Sequence, residues 1–380
     1  MDCAASRRTR LPEARWSVDT TSLRRPFLPR QRRRRVRSAV HDRVAELVPR
    51  IREGAARTEA ERRISTELLA ALMDTGLFAA SHLGDPDEHA AELLHVVHAL
   101  TGACGSTGWL AAHAGATPWL VDLLPPQSRQ ALRGPSGADP IVAFSLDDGG
   151  RLVETDDGLR LTGRWTRVTG AAYAGWLVLC VRLPAAGAGR ALGLVLVPVA
   201  ECRLADSADT IGLSAIGACE VGVEDVLIPS GRWCALSGEH APSGLLPIGA
   251  AAAMALLGGA QGALDDHCTQ MRHRIDRTHG GEQIRTGDRS PTMIGRAATM
   301  LDAAQLLLQG PDVPDALPQD PYEHQTYAVN RAVQATELVF SSSASHALAD
   351  DDPVARLWRD VRVGAREAGD LTARLRMLSV

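Results

Sequence analysis

One stretch, Gly158 to Pro229, limits the choice of fold more than any other part of this chain. It runs GLRLTGRWTRVTGAAYAGWLVLCVRL, passes a Gly/Ala-rich turn, and continues ALGLVLVPVAECRLADSADTIGLSAIGACEVGVEDVLIP. Short runs rich in Val, Leu, Trp and Thr are punctuated by Gly, Pro and Asp, the pattern of short strands and turns. On both sides the apolar period is helical. Val44, Leu47, Val48 and Ile51 fall at i, i+3, i+4 and i+7, one face of a helix. Ser65 and Thr66 offer a cap for a second helix, Asp87 to Leu100 reads as a third, and Ser106 to Leu124 as a fourth.

Inside the β region, strands are expected at Ile141 to Leu146, Arg151 to Glu154, Leu159 to Thr162, Gly175 to Arg182, Leu192 to Pro198 and Cys219 to Leu227. A turn at Asp147 to Gly150 separates the first two, and Asp156-Asp157-Gly158 signals a hairpin. The set reads as a barrel or sandwich. From Pro242 onward helices are expected again, over Leu246 to Arg274, Pro291 to Gln309, Tyr322 to Ser342 and Pro353 to Met377. Four parts result: an Arg-rich head without packed structure (1–38), a helical domain (39–138), a β domain (139–236) and a helical bundle (237–380).

Charge and composition exclude several classes. Net charge is −4, from 41 basic and 45 acidic residues, and every basic residue is Arg. No global field draws such a chain to nucleic acid or membrane. The run Arg32 to Arg35 lacks interleaved aromatic residues, so the head is not read as a nucleic-acid arm. Seven scattered Cys form no CxxC pair, which predicts free thiols in a reducing cytoplasm and no metal centre. The Ala/Gly-rich Leu245 to Leu264 run suits close helix packing rather than a membrane span. No GxGxxG follows a strand and no P-loop occurs, so the chain is not expected to bind NAD(P)H or ATP itself.

Several segments resemble the acyl-CoA dehydrogenase fold, and within it the oxygenase components of two-component flavin-dependent monooxygenases. Gly105-Ser106-Thr107-Gly108-Trp109, followed by His113, is similar to that family's Ser…Trp…His helix. Leu161-Thr162-Gly163-Arg164-Trp165, leading to Thr169-Gly170, is similar to the entry of its β domain. Asp209-Thr210-Ile211-Gly212-Leu213 and Val223 to Pro229 are similar to the exit, and Leu357-Trp358-Arg359-Asp360-Val361 to a "W-R-D-V" run. The resemblance implies a mainly α fold with a central β domain: an N-terminal helical domain, a β barrel or sandwich, and a C-terminal four-helix bundle. It further implies reduced FMN or FAD supplied by a flavin reductase, a small-molecule substrate, and a homo-oligomer, tetramer or dimer.

Roles follow from the same likeness. Trp165, Thr169, Gly170 and Gly217 are expected at the flavin, with Arg277 at its phosphate. His113 and Glu367 are the candidate catalytic groups. Ser106, Trp109, Ile216, Trp358 and Arg362 are expected to line the substrate pocket. The chain also departs from the pattern: Ser214 to Cys219 replaces a polar run, and no His follows the "W-R-D-V" run. The resemblance therefore implies an oxygenase acting on an aromatic, polyketide-like or amine substrate in a tailoring pathway. Redox-neutral chemistry with little or no flavin, and an acyl-CoA dehydrogenase-like oxidoreductase, stay open beside it.

Overall fold

The computed structural model describes residues 39–133, 139–184, 191–207, 209–236, 245–277, 290–309, 320–343, 347 and 349–378. The Arg-rich head and the 278–289 segment lie outside them. Among the described residues six α-helices come first: α1 (Ala39–Ala60), α2 (Thr66–Asp74), α3 (Pro86–Ala103), α4 (Gly105–Gly115), α5 (Thr117–Leu123) and α6 (Pro126–Leu132). Ser65 caps α2 as expected, its hydroxyl accepting from Leu68 N–H, and Asp85, read only as part of a loop, caps α3 by accepting from Asp87 N–H. The expected fourth helix is broken, because Pro118 carries no N–H and starts a new helix within its first two positions.

Among the described residues seven strands follow: β1 (Val142–Thr155), β2 (Gly158–Val168), β3 (Trp176–Arg182), β4 (Leu192–Pro198), β5 (Arg203–Asp206), β6 (Cys219–Ile228) and β7 (Trp233–Ala235). They form one sheet in the order β5-β6-β2-β1-β3-β4-β7, with β1 and β3 parallel. Among the described residues β5 and β7 end the hydrogen-bonded order, and the strands enclose a core of their own, as the expected barrel or sandwich does. The expected turn at Asp147 to Gly150 is instead the middle of β1, marked by a register shift between Ser145 and Gly150. Its glycines serve close approach: a Cβ on Gly150 would stand 2.5 Å from the Trp165 ring.

The strands' period of two divides the sheet between two cores. Phe144, Leu146, Val178, Cys180, Leu194 and Leu196 face the helices and join the main core. Ala143, Leu177, Leu179, Val181, Val195 and Val197 face away and form a second core around Trp165.

The chain ends in α7 (Leu246–Arg277), α8 (Ser290–Gln309), α9 (Pro321–Ser342) and α10 (Pro353–Leu378), close to the expected bounds. Asp352 caps α10 by accepting from Val354 N–H, as the Asp350 to Asp352 run before Pro353 predicts. The apolar α7 is long enough to span a bilayer, yet it is buried within the fold. Its Gly258 and Gly262 meet the backbone of α3 at His98 and Gly102, leaving no space for a Cβ. The close helix packing that the Ala/Gly-rich run suits is thus made inside the chain.

The motif segments turn out to be joints between these layers. Asp360 of α10 accepts from Leu213 N–H, and Leu213 adopts a left-handed φ of 51°. Arg359 pairs with Glu59 at the end of α1. Ser106 Oγ accepts from Ala215 N–H at 3.2 Å, and Tyr173 O–H donates to the Ala215 carbonyl at 2.8 Å. The 209–217 loop is thereby pinned to α1, α4 and α10 at once.

Candidate active site

Between the helix-facing side of the sheet and the last three turns of α10 lies a cavity of about 540 Å³. On α10 it is lined by Glu367, Asp370, Leu371, Arg374 and Met377. Their spacing of three and four residues is one helix face. From the sheet come Phe144, Ser145 and Asp147 of β1, with Thr166, Arg167 and Thr169 at the end of β2. His113, near the end of α4, closes the inner side. Three candidates far apart in sequence, His113, Thr169 and Glu367, therefore meet in one place.

His113 is half-buried. Its ring lies parallel to Phe144 with centroids 5.6 Å apart, and 4.8 Å from the Trp109 ring. Nδ1 lies 3.1 Å from the Trp109 carbonyl, one turn back. A carbonyl only accepts, so this bond assigns the proton to Nδ1 and leaves a lone pair on Nε2. Burial pushes the imidazole down to about 4, against the smaller opposing effect of that hydrogen bond. Near neutral pH the ring is uncharged and holds a free basic nitrogen.

Glu367 is not free in the same way. Arg167 donates from both Nε (3.1 Å) and Nη2 (2.8 Å) to its Oε1. Sequence reasoning missed Arg167 because what sets it apart appears only in the structure: φ is 53°, and the β2–β6 register shifts between Trp165 and Val168. This bulge turns an arginine out of the strand and into the cavity. The guanidinium occupies an oxygen of Glu367, which counts against the expected role of Glu367 as base. Seven residues along the same face of α10, Arg374 pairs with Asp147 of β1 at 2.9 Å. Two ion pairs of opposite polarity thus tie α10 to the sheet across the cavity.

Thr169 is buried, and its hydroxyl has no hydrogen-bond partner among the described residues. The adjacent glycines act one step back from the wall. Gly170 (φ 79°) donates its N–H to the Ile216 carbonyl at 3.0 Å, and Gly217 (φ 63°) accepts from Ala172 N–H at 3.0 Å. Both hold the end of β2 against the 209–217 loop without lining the cavity, and Ile216 is buried in that joint.

Five of the expected site residues lie away from this cavity. Trp165 is no flavin wall: it lies on the sheet face away from the helices, its Nε1 donating to the Asp147 and Cys180 carbonyls, both at 3.0 Å. Trp358 and Arg362 miss the cavity because Trp358 precedes Glu367 by nine residues, half a revolution around the helix. Trp358 stacks on Phe340 of α9 at 4.6 Å and donates to Glu337, which also holds Arg362. Ser106 is taken up by Ala215, and Trp109 is buried behind His113. Arg277 ends α7, and its side chain falls outside the described residues.

Comparison with known proteins agrees with this architecture. The sequence profile of the family "Acyl-CoA dehydrogenase, C-terminal domain" matches residues 250–369, from α7 into α10. The oxygenase subunit HsaA of a flavin-dependent monooxygenase from Rhodococcus jostii (strain RHA1) is 28% identical over 86% of this chain and 94% of its own length. The oxygenase component of an FADH2-dependent resorcinol hydroxylase from Rhizobium sp. (strain MTP-10005) is 27% identical over 85% of this chain and 88% of its own. Among solved structures, the 3-HSA hydroxylase from Rhodococcus sp. RHA1 superposes with a TM-score of 0.79 at 26% identity, covering 90% of this chain and 96% of that one. XiaF from Streptomyces sp., solved with FADH2 and glycerol, shares the fold with a TM-score of 0.73 at 21% identity, over 90% of this chain and 93% of that one. The chain therefore carries the acyl-CoA dehydrogenase fold and is similar, over most of its length, to oxygenase components of flavin-dependent monooxygenases.

Proposed function

We propose that this chain is the oxygenase component of a two-component flavin-dependent monooxygenase that hydroxylates an aromatic compound, using reduced FMN or FAD delivered by a separate reductase. The observation that carries the reading is the cavity in which an uncharged His113 and the unpartnered Thr169 hydroxyl meet. The likeness over most of the chain to named oxygenase components supports it.

The residues present fit a flavin. The volume lies within the ~300–1,000 Å³ of small-molecule sites. Phe144, Leu146 and Leu371 provide apolar wall, while the Thr169, Thr166 and Ser145 hydroxyls offer polar groups to a ring edge. When bound, the reduced flavin supplies the two electrons that allow one oxygen atom of O₂ to enter the substrate and the other to leave as water. The chain's own part is to hold the substrate and move its proton. His113 Nε2 accepts the proton of a phenolic hydroxyl, which raises electron density on the ring to be attacked. Apolar packing of Trp109 and Phe144 around His113 keeps that imidazole neutral and excludes water.

A homotetramer and a tailoring step on a polyketide-like aromatic belong to the same proposal. Exposed Leu306 on α8 is apolar surface suited to a subunit contact. The test is anaerobic titration of the protein with reduced FAD and FMN, followed by oxygen and an aromatic substrate. Reduced flavin should bind, and product should form in step with flavin oxidation. Failure of both flavins to bind in either redox state would refute the reading in favour of redox-neutral chemistry. Replacing His113 by Gln should lower turnover about 10²- to 10⁴-fold with flavin binding retained.

A further inference from the structure

We infer that the Arg167–Glu367 pair is the substrate-reading element of this cavity, and that it selects an uncharged hydroxylated aromatic over carboxylate- or ammonium-bearing ones. The inference rests on the oxygenase reading for what happens to the substrate, but its geometry is independent of flavin.

Each carboxylate of the wall has a guanidinium partner. Asp147 is met by Arg374 at 2.9 Å and Glu367 by Arg167 at 2.8 Å, both within the wall, while the exposed Asp370 is met at 3.3 Å by Arg366, which lies outside it. His113, the remaining titratable group of the wall, is neutral near pH 7. An anionic or cationic ligand would have to break one of these pairs to find a counter-charge, or enter without one. A neutral ligand needs neither.

The pair is also built to read a specific group. Both guanidinium donors it uses, Nε and Nη2, converge on the single oxygen Oε1. Glu367 Oε2 and Arg167 Nη1 therefore have no partner among the described residues, while both side chains line the cavity and stay about one-third exposed or less. The neutral pair thus offers the cavity one free acceptor and one free donor, and a hydroxyl, which both donates and accepts, can use either. Holding the guanidinium there takes a left-handed backbone at a non-glycine residue, φ 53° at Arg167. Such a conformation persists only where the surrounding structure imposes it. The anchor on α10, Glu367, lies on the helix face that carries the other cavity residues.

The test is a charge swap. The full chain and two variants are dialysed against one-, two- and three-ring hydroxylated aromatics. Each is prepared in uncharged, carboxylate and ammonium form, with and without anaerobic reduced FAD. Glu367→Gln leaves Arg167 uncompensated. Arg167→Asn leaves Glu367 uncompensated and places a residue that tolerates the left-handed region at that position. The wild type should bind the uncharged form at least about tenfold more tightly than either ion of the same scaffold. Glu367→Gln should shift preference about tenfold or more toward the carboxylate, and Arg167→Asn by a similar factor toward the ammonium form. A charge preference unmoved by both substitutions, or moved the same way by both, overturns the inference, as does failure of every panel member to bind. If the panel binds in the expected order while reduced flavin does not bind, the oxygenase reading falls and this one stands.

Discussion

Replacing Asp360 by Asn should make the protein's stability less sensitive to pH between 4 and 7. Asp360 is buried beneath α4 and the 209–217 loop. Burial, with a smaller contribution from Glu59, raises its carboxyl from the ordinary 3.8 to about 6, against the opposing effects of the Leu213 N–H, Arg356 and Arg359. The native state therefore holds this proton more tightly than the unfolded chain does. Its stabilising contribution is complete below pH 3.8 and is lost as pH rises through about 6. The gap corresponds to about 3 kcal/mol. Asn keeps an oxygen for the Leu213 N–H and does not titrate, so any cost of its amide group beside Gly105 is the same at every pH. Urea unfolding of both proteins at intervals from pH 4 to pH 7.5 measures the difference directly. Titrations elsewhere cancel in that subtraction. The variant should gain about 2–3 kcal/mol on the wild type across the range. A difference that stays flat with pH would show that Asp360 is not desolvated in the native joint.

Trp165→Phe removes both indole hydrogen bonds inside the second core. It should cost about 1–3 kcal/mol in chemical denaturation while the affinity for reduced flavin holds, and a matching loss of flavin affinity would return Trp165 to the cavity wall. Gly217→Ala forces a left-handed alanine and puts its Cβ 2.5 Å from the Tyr173 ring. About 1–3 kcal/mol of stability should go with it, and an unchanged Tm would refute the account of that joint. The acid limb of turnover assigned to His113 should fall near pH 4, so a His113-dependent limb near 6.5 would contradict its burial.

The sequence alone determined the helix–sheet–helix order, because hydrophobic periodicity is a local signal that tertiary contacts reinforced here. The α7 to α10 bounds, the caps at Ser65 and Asp352, and the hairpin at Asp156–Asp157 were all legible from neighbouring residues. So was the fold, since the motif segments turn out to be joints between its layers. What no local pattern could settle was which face each side chain takes once layers pack. Trp165 and Thr169 sit four residues apart on one segment, yet a bulge sends the first into the sheet's own core and leaves the second on the cavity wall. Gly149-Gly150 reads as a turn, but the Trp165 ring needs that space in mid-strand. Trp358 lies in a motif and Glu367 outside it, yet helix rotation gives the cavity to Glu367. The pairing of Arg167 with Glu367 spans 200 residues. Only the docking of α10 against the sheet creates it, because an ion pair is set by proximity in space and leaves no spacing to read along the chain.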